Sequence, residues 1–175
     1  MDKKRLYGEL VKRYQLKHKK SEALFKKACQ YQIRGGSHNL RLFEPFPFYD
    51  VQASGSKVTD VDGHTYVDFW QGHFANILGH NPKVILDALL DYFQKGQGLT
   101  TGFPGSYQRE LAELILKQIG AEKIRFTTSG TLATMYAQML AKAFTGREMV
   151  MKVGGGWHGG QPYALKGIST YDQGL

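Results

Sequence analysis

The run from Lys123 to Val153 limits the possible folds of this chain more than any other stretch. Residues 123–128 read Lys-Ile-Arg-Phe-Thr-Thr and predict a strand. Ser129 is a favourable N-cap, and the Ala-, Met- and Leu-rich stretch after it predicts a helix to about Phe144, closed by Gly146. Residues 148–153, Glu-Met-Val-Met-Lys-Val, predict a second strand. A strand–helix–strand unit of this length suits a right-handed parallel crossover, so the expected class is α/β. Both strands of such a unit point the same way. The helix start at Ser129 and the glycine-rich loop Gly154–Gly160 then fall at the carboxyl edge of the sheet, where open α/β sheets bind ligands.

The residues at that edge suggest what the ligand is. The first N–H groups of a helix lack intrahelical partners, and its dipole favours an anion. Ser129 and Thr131 add hydroxyls, and Gly130 allows close backbone approach. Together they can cradle a phosphate; an ordinary helix cap uses the same three residues. In the loop, the indole of Trp157 can lie against a flat ring, or be a core aromatic. His158 is either part of the same site or a hydrogen-bonded structural histidine. The loop also matches Gly-x-Gly-x-x-Gly at Gly154, Gly156 and Gly159, but Pro162 and Gly167 oppose the long helix a dinucleotide site requires. No Walker lysine pattern occurs. His73 and His80 have no Cys or carboxylate at ligand spacing on a common helix, so no metal site is expected.

Upstream, Leu6, Leu10, Val11, Tyr14, Leu24, Phe25 and Ala28 recur at helical spacing over residues 3–31, and the stripe thins between Leu16 and Ala23, where a break is expected. Residues 1–27 hold ten Lys or Arg against three acidic residues, so the chain's +8 charge resides almost wholly there and the body is nearly neutral. Such an arm can meet polyanions, but only Tyr7 and Tyr14 are interleaved with its charges, and it is read as a solvated helix face with no nucleic-acid partner. The aromatic stretch Phe43–Tyr49 holds two prolines and needs a partner surface. Residues 57–69 predict a hairpin with Asp62-Gly63 as its turn. Asn81 and Pro82 predict the start of a helix, as N-cap and first helical residue, and a further helix is expected from about Tyr107 to Ile119. The lone Cys29 excludes a disulfide within the chain; a buried structural role and a reducing compartment are expected. No apolar run reaches membrane-spanning length, so a soluble cytoplasmic protein with no membrane partner is expected.

Several motifs together resemble one family. Residues 53–69, Ala-Ser-Gly-Ser-Lys-Val-Thr-Asp-Val-Asp-Gly-His-Thr-Tyr-Val-Asp-Phe, resemble the early hairpin of class III aminotransferases, and Ile77-Leu-Gly-His-Asn-Pro82 resembles the turn that follows it. Residues 126–135, 143–148 and 156–159 resemble the family's phosphate-binding segment and what comes after, with the glutamate-1-semialdehyde aminomutase branch the most similar. The resemblance implies the N-terminal part of the fold-type-I transferase fold: an N-terminal helix and hairpin, plus the start of the large domain's parallel or mixed sheet. It divides the chain into a basic helical segment (1–34), a loop and hairpin region (35–80) and the start of a large domain (81–175). It implies pyridoxal 5'-phosphate as cofactor, held by Ser129, Gly130, Thr131, Trp157 and His158, with weak or absent binding expected in this shortened chain. It places Arg41 and His73 on the substrate side, for a small amino or oxo acid, in a homodimer. His73 stands where the aminomutases carry tryptophan, and Leu132 replaces the family's usual glutamate. The family's Schiff-base lysine and the aspartate facing the cofactor ring fall past the equivalent of Leu175. The expected result is a chain with no catalytic residue of its own, inactive alone, with a non-catalytic phosphate- or pyridoxal-phosphate-binding relative or an interaction module as the alternative.

Overall fold

Two amphipathic helices open the chain, and a single histidine separates them. In the computed structural model, which describes residues 2–38, 41–98 and 102–168, α1 spans Lys3–Lys17 and α2 spans Lys19–Ala28. His18 lies between them with non-helical backbone angles (φ −118°, ψ 49°), which is the expected break. His18 makes no side-chain cap for α2. The cap comes from 41–42 residues away. Asp62 accepts hydrogen bonds from Lys20 N at 2.8 Å, Ser21 N at 3.0 Å and Ser21 Oγ at 2.7 Å. A carboxylate at a helix N-terminus satisfies orphan donors and meets the positive end of the dipole. Burial pushes the Asp62 carboxyl up, but these hydrogen bonds outweigh it and hold the group below its usual range. Asp62→Ala is expected to cost about 1–2 kcal/mol, read as a lower urea midpoint, with Asp62→Asn losing less because it keeps one acceptor oxygen.

The sheet is a three-stranded antiparallel meander, β1 (Asp50–Ser54), β2 (Lys57–Asp60) and β3 (Thr65–Val67). β2 and β3 form the expected hairpin, with Val58 opposite Tyr66, and Gly63 supplies the positive φ (91°) of its turn. β1 pairs with β2 and was not apparent from the sequence. The aromatic stretch finds its partner on the helices and β3. Phe46 is buried, with its ring 5.2 Å from Tyr14 and 6.4 Å from Phe25, while Phe48 stacks on Tyr66 at 4.9 Å.

After β3, α3 (Gln71–Phe74) is one distorted turn, and residues 76–82 fold back on the hairpin. Gly55 and His80 exchange backbone hydrogen bonds of 2.9 and 2.8 Å. The chain passes so close there that a Cβ on Gly79 would lie 2.8 Å from the Gly55 carbonyl oxygen. Asn81 differs from expectation. Its side chain donates to Ala53 O at 2.8 Å, and Pro82 is the N-cap of α4 (Lys83–Gln94). The Asn81 NH2 is held by this tertiary acceptor, and no side chain caps α4. Cys29 also differs: it is exposed, because it sits at the C-cap of α2.

The chain divides into two compact units, residues 1–101 and 102–175. The second contains α5 (Ser106–Ile119), α6 (Gly130–Thr145) and α7 (Pro162–Leu165). Gly120 and Gly146 close α5 and α6 in the left-handed conformation that glycine adopts without steric cost. The expected strands at 123–128 and 148–153 are not formed among the described residues. A parallel strand exists only through ladder bonds to neighbours, and the described residues of this unit offer no third strand to pair with. The helix and loop of the crossover are present without the sheet.

Candidate functional site

Ser129 caps α6 as its residue type dictates. Its backbone is extended, and its Oγ accepts from Leu132 N at 3.2 Å. Thr127 Oγ1 donates to Ser129 O at 3.0 Å, which fixes the approach to the helix. Gly130 and Thr131 occupy the first two helical positions, whose N–H groups have no acceptor within the helix. Space above Gly130 is open: a Cβ there would meet nothing within 4 Å. The three predicted phosphate residues therefore present free backbone donors, a hydroxyl and room for an anion at the positive end of a 16-residue helix.

The glycine-rich loop is fastened to the same helix start. Gly160 N donates to Thr131 Oγ1 at 3.0 Å, and Thr134 Oγ1 donates to His158 O at 2.8 Å. Gly159 is buried against the helix with φ 105°, where a Cβ would lie 2.8 Å from Thr131 Cα and 3.0 and 3.1 Å from the hydroxyls of Thr131 and Thr134. The sequence marked Gly159 only as part of glycine motifs and gave Thr134 no separate role. The signal available was a threonine one turn into the helix, which faces the side that the cap faces. Trp157 is 61% exposed, so it is not a core aromatic in this chain. The His158 ring is partly buried, and its Nε2 has no hydrogen-bond partner, lying where a Cβ on Gly156 would come within 2.7 Å. Five predicted cofactor residues thus sit on two segments that hydrogen bonds hold together.

Arg41 and His73 lie in the first unit, both exposed. They share a neighbour. Arg41 N donates to His38 O at 2.9 Å, and the His38 and His73 rings lie 5.5 Å apart. His73 also packs on Trp70 at 4.5 Å, with a backbone φ of 63°. Two of the lysines in the second unit are engaged. Lys152 Nζ donates to the carbonyls of Ala164 and Lys166 at 2.6 and 2.8 Å, and Lys142 pairs with Glu148 at 3.2 Å and lies over the Tyr163 ring.

The model of the class III aminotransferase family matches residues 43–171. The chain belongs to that family. It is 40% identical over 147 residues to the glutamate-1-semialdehyde 2,1-aminomutase of Methanothermobacter thermautotrophicus, a match that covers 83% of this chain and 34% of that protein. It is 39% identical over 146 residues to the aminomutase of Thermoplasma volcanium, again over 83% of this chain and 34% of the relative. Among solved structures, a β-phenylalanine aminotransferase from Variovorax paradoxus superposes with a TM-score of 0.81 at 32% identity, over 87% of this chain and 35% of that one. A glutamate-1-semialdehyde aminomutase from Pseudomonas aeruginosa superposes with a TM-score of 0.84 over 93% and 36%; at 23% identity that likeness shows the fold alone. The fold is part of the fold-type-I transferase fold, as the motifs implied. The chain spans about a third of the length of the curated relatives it matches. Among the described residues, no helix is long and apolar enough to cross a membrane.

Proposed function

We propose that this stretch supplies the phosphate-holding part of a pyridoxal-phosphate enzyme that moves an amino group to or within a small amino or oxo acid. The observation that carries this reading is the pair of hydrogen bonds, Gly160 N to Thr131 Oγ1 and Thr134 Oγ1 to His158 O, that brings the aromatic loop onto the open N-terminus of α6. When bound, pyridoxal phosphate supplies an electron sink for chemistry at the amino-bearing carbon. The protein's part is to hold and orient. The N–H groups of Gly130 and Thr131 and the Ser129 hydroxyl bind the phosphate. Trp157 lays its indole against the ring, and His158 packs beside it. Arg41 offers a guanidinium to a substrate carboxylate, and His73 lines the substrate side. The active enzyme is a cytoplasmic homodimer, and this chain by itself is inactive. Lys142 and Lys152 are each engaged with neighbouring acceptors, which fits the last point.

The test is a comparison of pyridoxal phosphate with pyridoxal, which lacks the phosphate, each titrated into the full chain by equilibrium dialysis. Pyridoxal phosphate is expected to bind at least tenfold more tightly, about 1.4 kcal/mol, with inorganic phosphate competing. Ser129→Ala is expected to reduce that preference several-fold. Equal affinity for the two compounds would overturn the reading. Borohydride reduction followed by mass spectrometry is expected to leave no stoichiometric adduct on a single lysine, and finding one would refute the claim that the chain is inactive alone.

A further inference from the structure

The first unit contains a buried polar cluster that the proposed chemistry does not use. His18 Nε2, Asp60 Oδ2 and His64 Nδ1 all lie within 4.8 Å of one another. His18 and Asp60 are buried, and the His64 side chain is 35% exposed. From these three groups we propose a binding site for one zinc-class divalent ion, clipping the junction of α1 and α2 to the β2–β3 hairpin. The expectation that the chain has no metal site rested on His73 and His80; the ligands here come from three places in the sequence that only the fold brings together.

Three features of the geometry carry the proposal. The first is spacing. Tetrahedral zinc with bonds of about 2.0–2.1 Å holds its ligand atoms about 3.3–3.4 Å apart. Asp60 Oδ2 lies 3.5 Å from His18 Nε2 and 3.1 Å from His64 Nδ1. The remaining pair closes by movement of His64, the one partly exposed ring.

The second feature is the support behind each ligand, which metal sites require to fix ring tautomer and carboxylate direction. His18 Nδ1 donates to Tyr14 O at 2.8 Å, which holds the ring with Nε2 facing the cluster. Asp60 Oδ1 accepts from Asp62 N at 3.0 Å and His64 N at 2.8 Å, which leaves Oδ2 turned toward the two rings. Tyr66 Oη donates to Asp60 Oδ2 at 2.7 Å and lies 2.7 Å from His18 Nε2, so a phenol oxygen borders the fourth position.

The third is the set of donor types. Two imidazoles and a carboxylate suit zinc and its neighbours, and suit magnesium or calcium poorly. The exposed edge of His64 gives an entry path. On metal binding the His64 proton, now shared from Nδ1 with Asp60, moves to the solvent-facing Nε2, so the ring stays neutral and Nδ1 becomes a ligand.

The test uses the full chain, stripped with chelator and titrated with zinc and with cobalt(II). One equivalent of zinc per chain is expected at micromolar affinity or better, with cobalt(II) giving the intense visible bands of a four-coordinate site and the melting temperature rising with zinc concentration. His64→Ala is expected to weaken binding at least tenfold, and His18→Ala to abolish it. His64 lies on the exposed side of the cluster, so H64A keeps the experiment decisive if H18A does not fold; far-UV circular dichroism checks both. His38→Ala, at the other histidine pair, is expected to leave affinity unchanged. Absence of a stoichiometric site, or zinc affinity that falls with H38A and not with H64A, would overturn the proposal and leave the cluster a hydrogen-bond network alone.

Discussion

Gly159→Ala is expected to detach the glycine-rich loop from α6, at a cost of about 3 kcal/mol or more. Two independent penalties combine. A φ of 105° lies outside the regions open to a residue with a Cβ, a strain of about 1–3 kcal/mol. The added methyl would also stand 2.8 Å from Thr131 Cα, a backbone atom in the first turn of a helix that has no freedom to give way. Overlap of that kind costs a further 1–3 kcal/mol or so. The loop must lift, which breaks the bonds from Gly160 N to Thr131 Oγ1 and from Thr134 Oγ1 to His158 O. Hydrogen exchange reads this directly: the Gly160 amide is expected to lose its protection while amides in the middle of α6 keep theirs. Pyridoxal-phosphate affinity should fall at least tenfold. Gly130→Ala is the informative contrast. Its Cβ would meet nothing within 4 Å and its φ is not positive, so stability should stay within about 0.5 kcal/mol. The methyl nonetheless fills the space proposed for the phosphate, and affinity should still drop. A protected Gly160 amide in Gly159→Ala would show that the loop is not held where the structure places it.

Asp60→Ala is expected to be comparably severe, at about 3–5 kcal/mol, because it strips the acceptor from a buried set of donors. Asp60 is 1% exposed and takes hydrogen bonds from Tyr66 Oη, His64 Nδ1 and the backbone N–H groups of Asp62 and His64. Burial raises the Asp60 carboxyl, but the bonds from Tyr66 and His64 prevail and hold it below the usual carboxylate range. On the Tyr66 phenol the two effects act together: burial and the Asp60 carboxylate both drive it well above its usual range. Burial, with help from Asp60 and Asp62, pushes Tyr14 up to about 12.

The pH dependence follows from these directions. A carboxyl with a folded-state pKa below its unfolded value contributes stability that is complete above the unfolded pKa and disappears as pH falls through the folded one. Asp60, Asp62 and Asp68 are all depressed; in Asp68, hydrogen bonds from His80, Gln71 and Trp70 overcome burial. From these three groups, the urea midpoint of the first unit should be level from about pH 7 to 5 and fall steeply below about pH 4. Asp60→Asn should flatten part of that fall. An acid limb of the same steepness in wild type and variant would show that Asp60 is not the linked group.

Much of the site could be read from residue type because helix ends are local. Ser129 caps α6, and Gly120 and Gly146 close α5 and α6, since caps depend on a few neighbouring residues and on which of them tolerates a positive φ. The break near His18, the Asp62-Gly63 turn and the need of Phe43–Tyr49 for a partner surface were legible for the same reason. The mistaken expectations concern residues whose partners are distant. Asn81 has the chemistry of a cap, but its NH2 is held by the Ala53 carbonyl. Residues 123–128 and 148–153 have strand composition, but a ladder is a property of neighbours that composition does not contain. β1 was missed because only Ala53 in it is even partly buried, so no alternation marked it.

The sequence by itself determined the family, through motifs in order along the chain, and the helix start at Ser129-Gly130-Thr131, through the residue types that favour a cap. Only the tertiary structure decided what holds that start in place. Thr131, Thr134, Gly159 and Gly160 meet across a gap of about 25–30 residues, and a hydrogen bond between them leaves no periodicity to find. Asp62 capping α2, and His18, Asp60 and His64 converging on one point, have the same origin. Side-chain chemistry is fixed residue by residue, whereas burial and distance depend on the path of the whole chain.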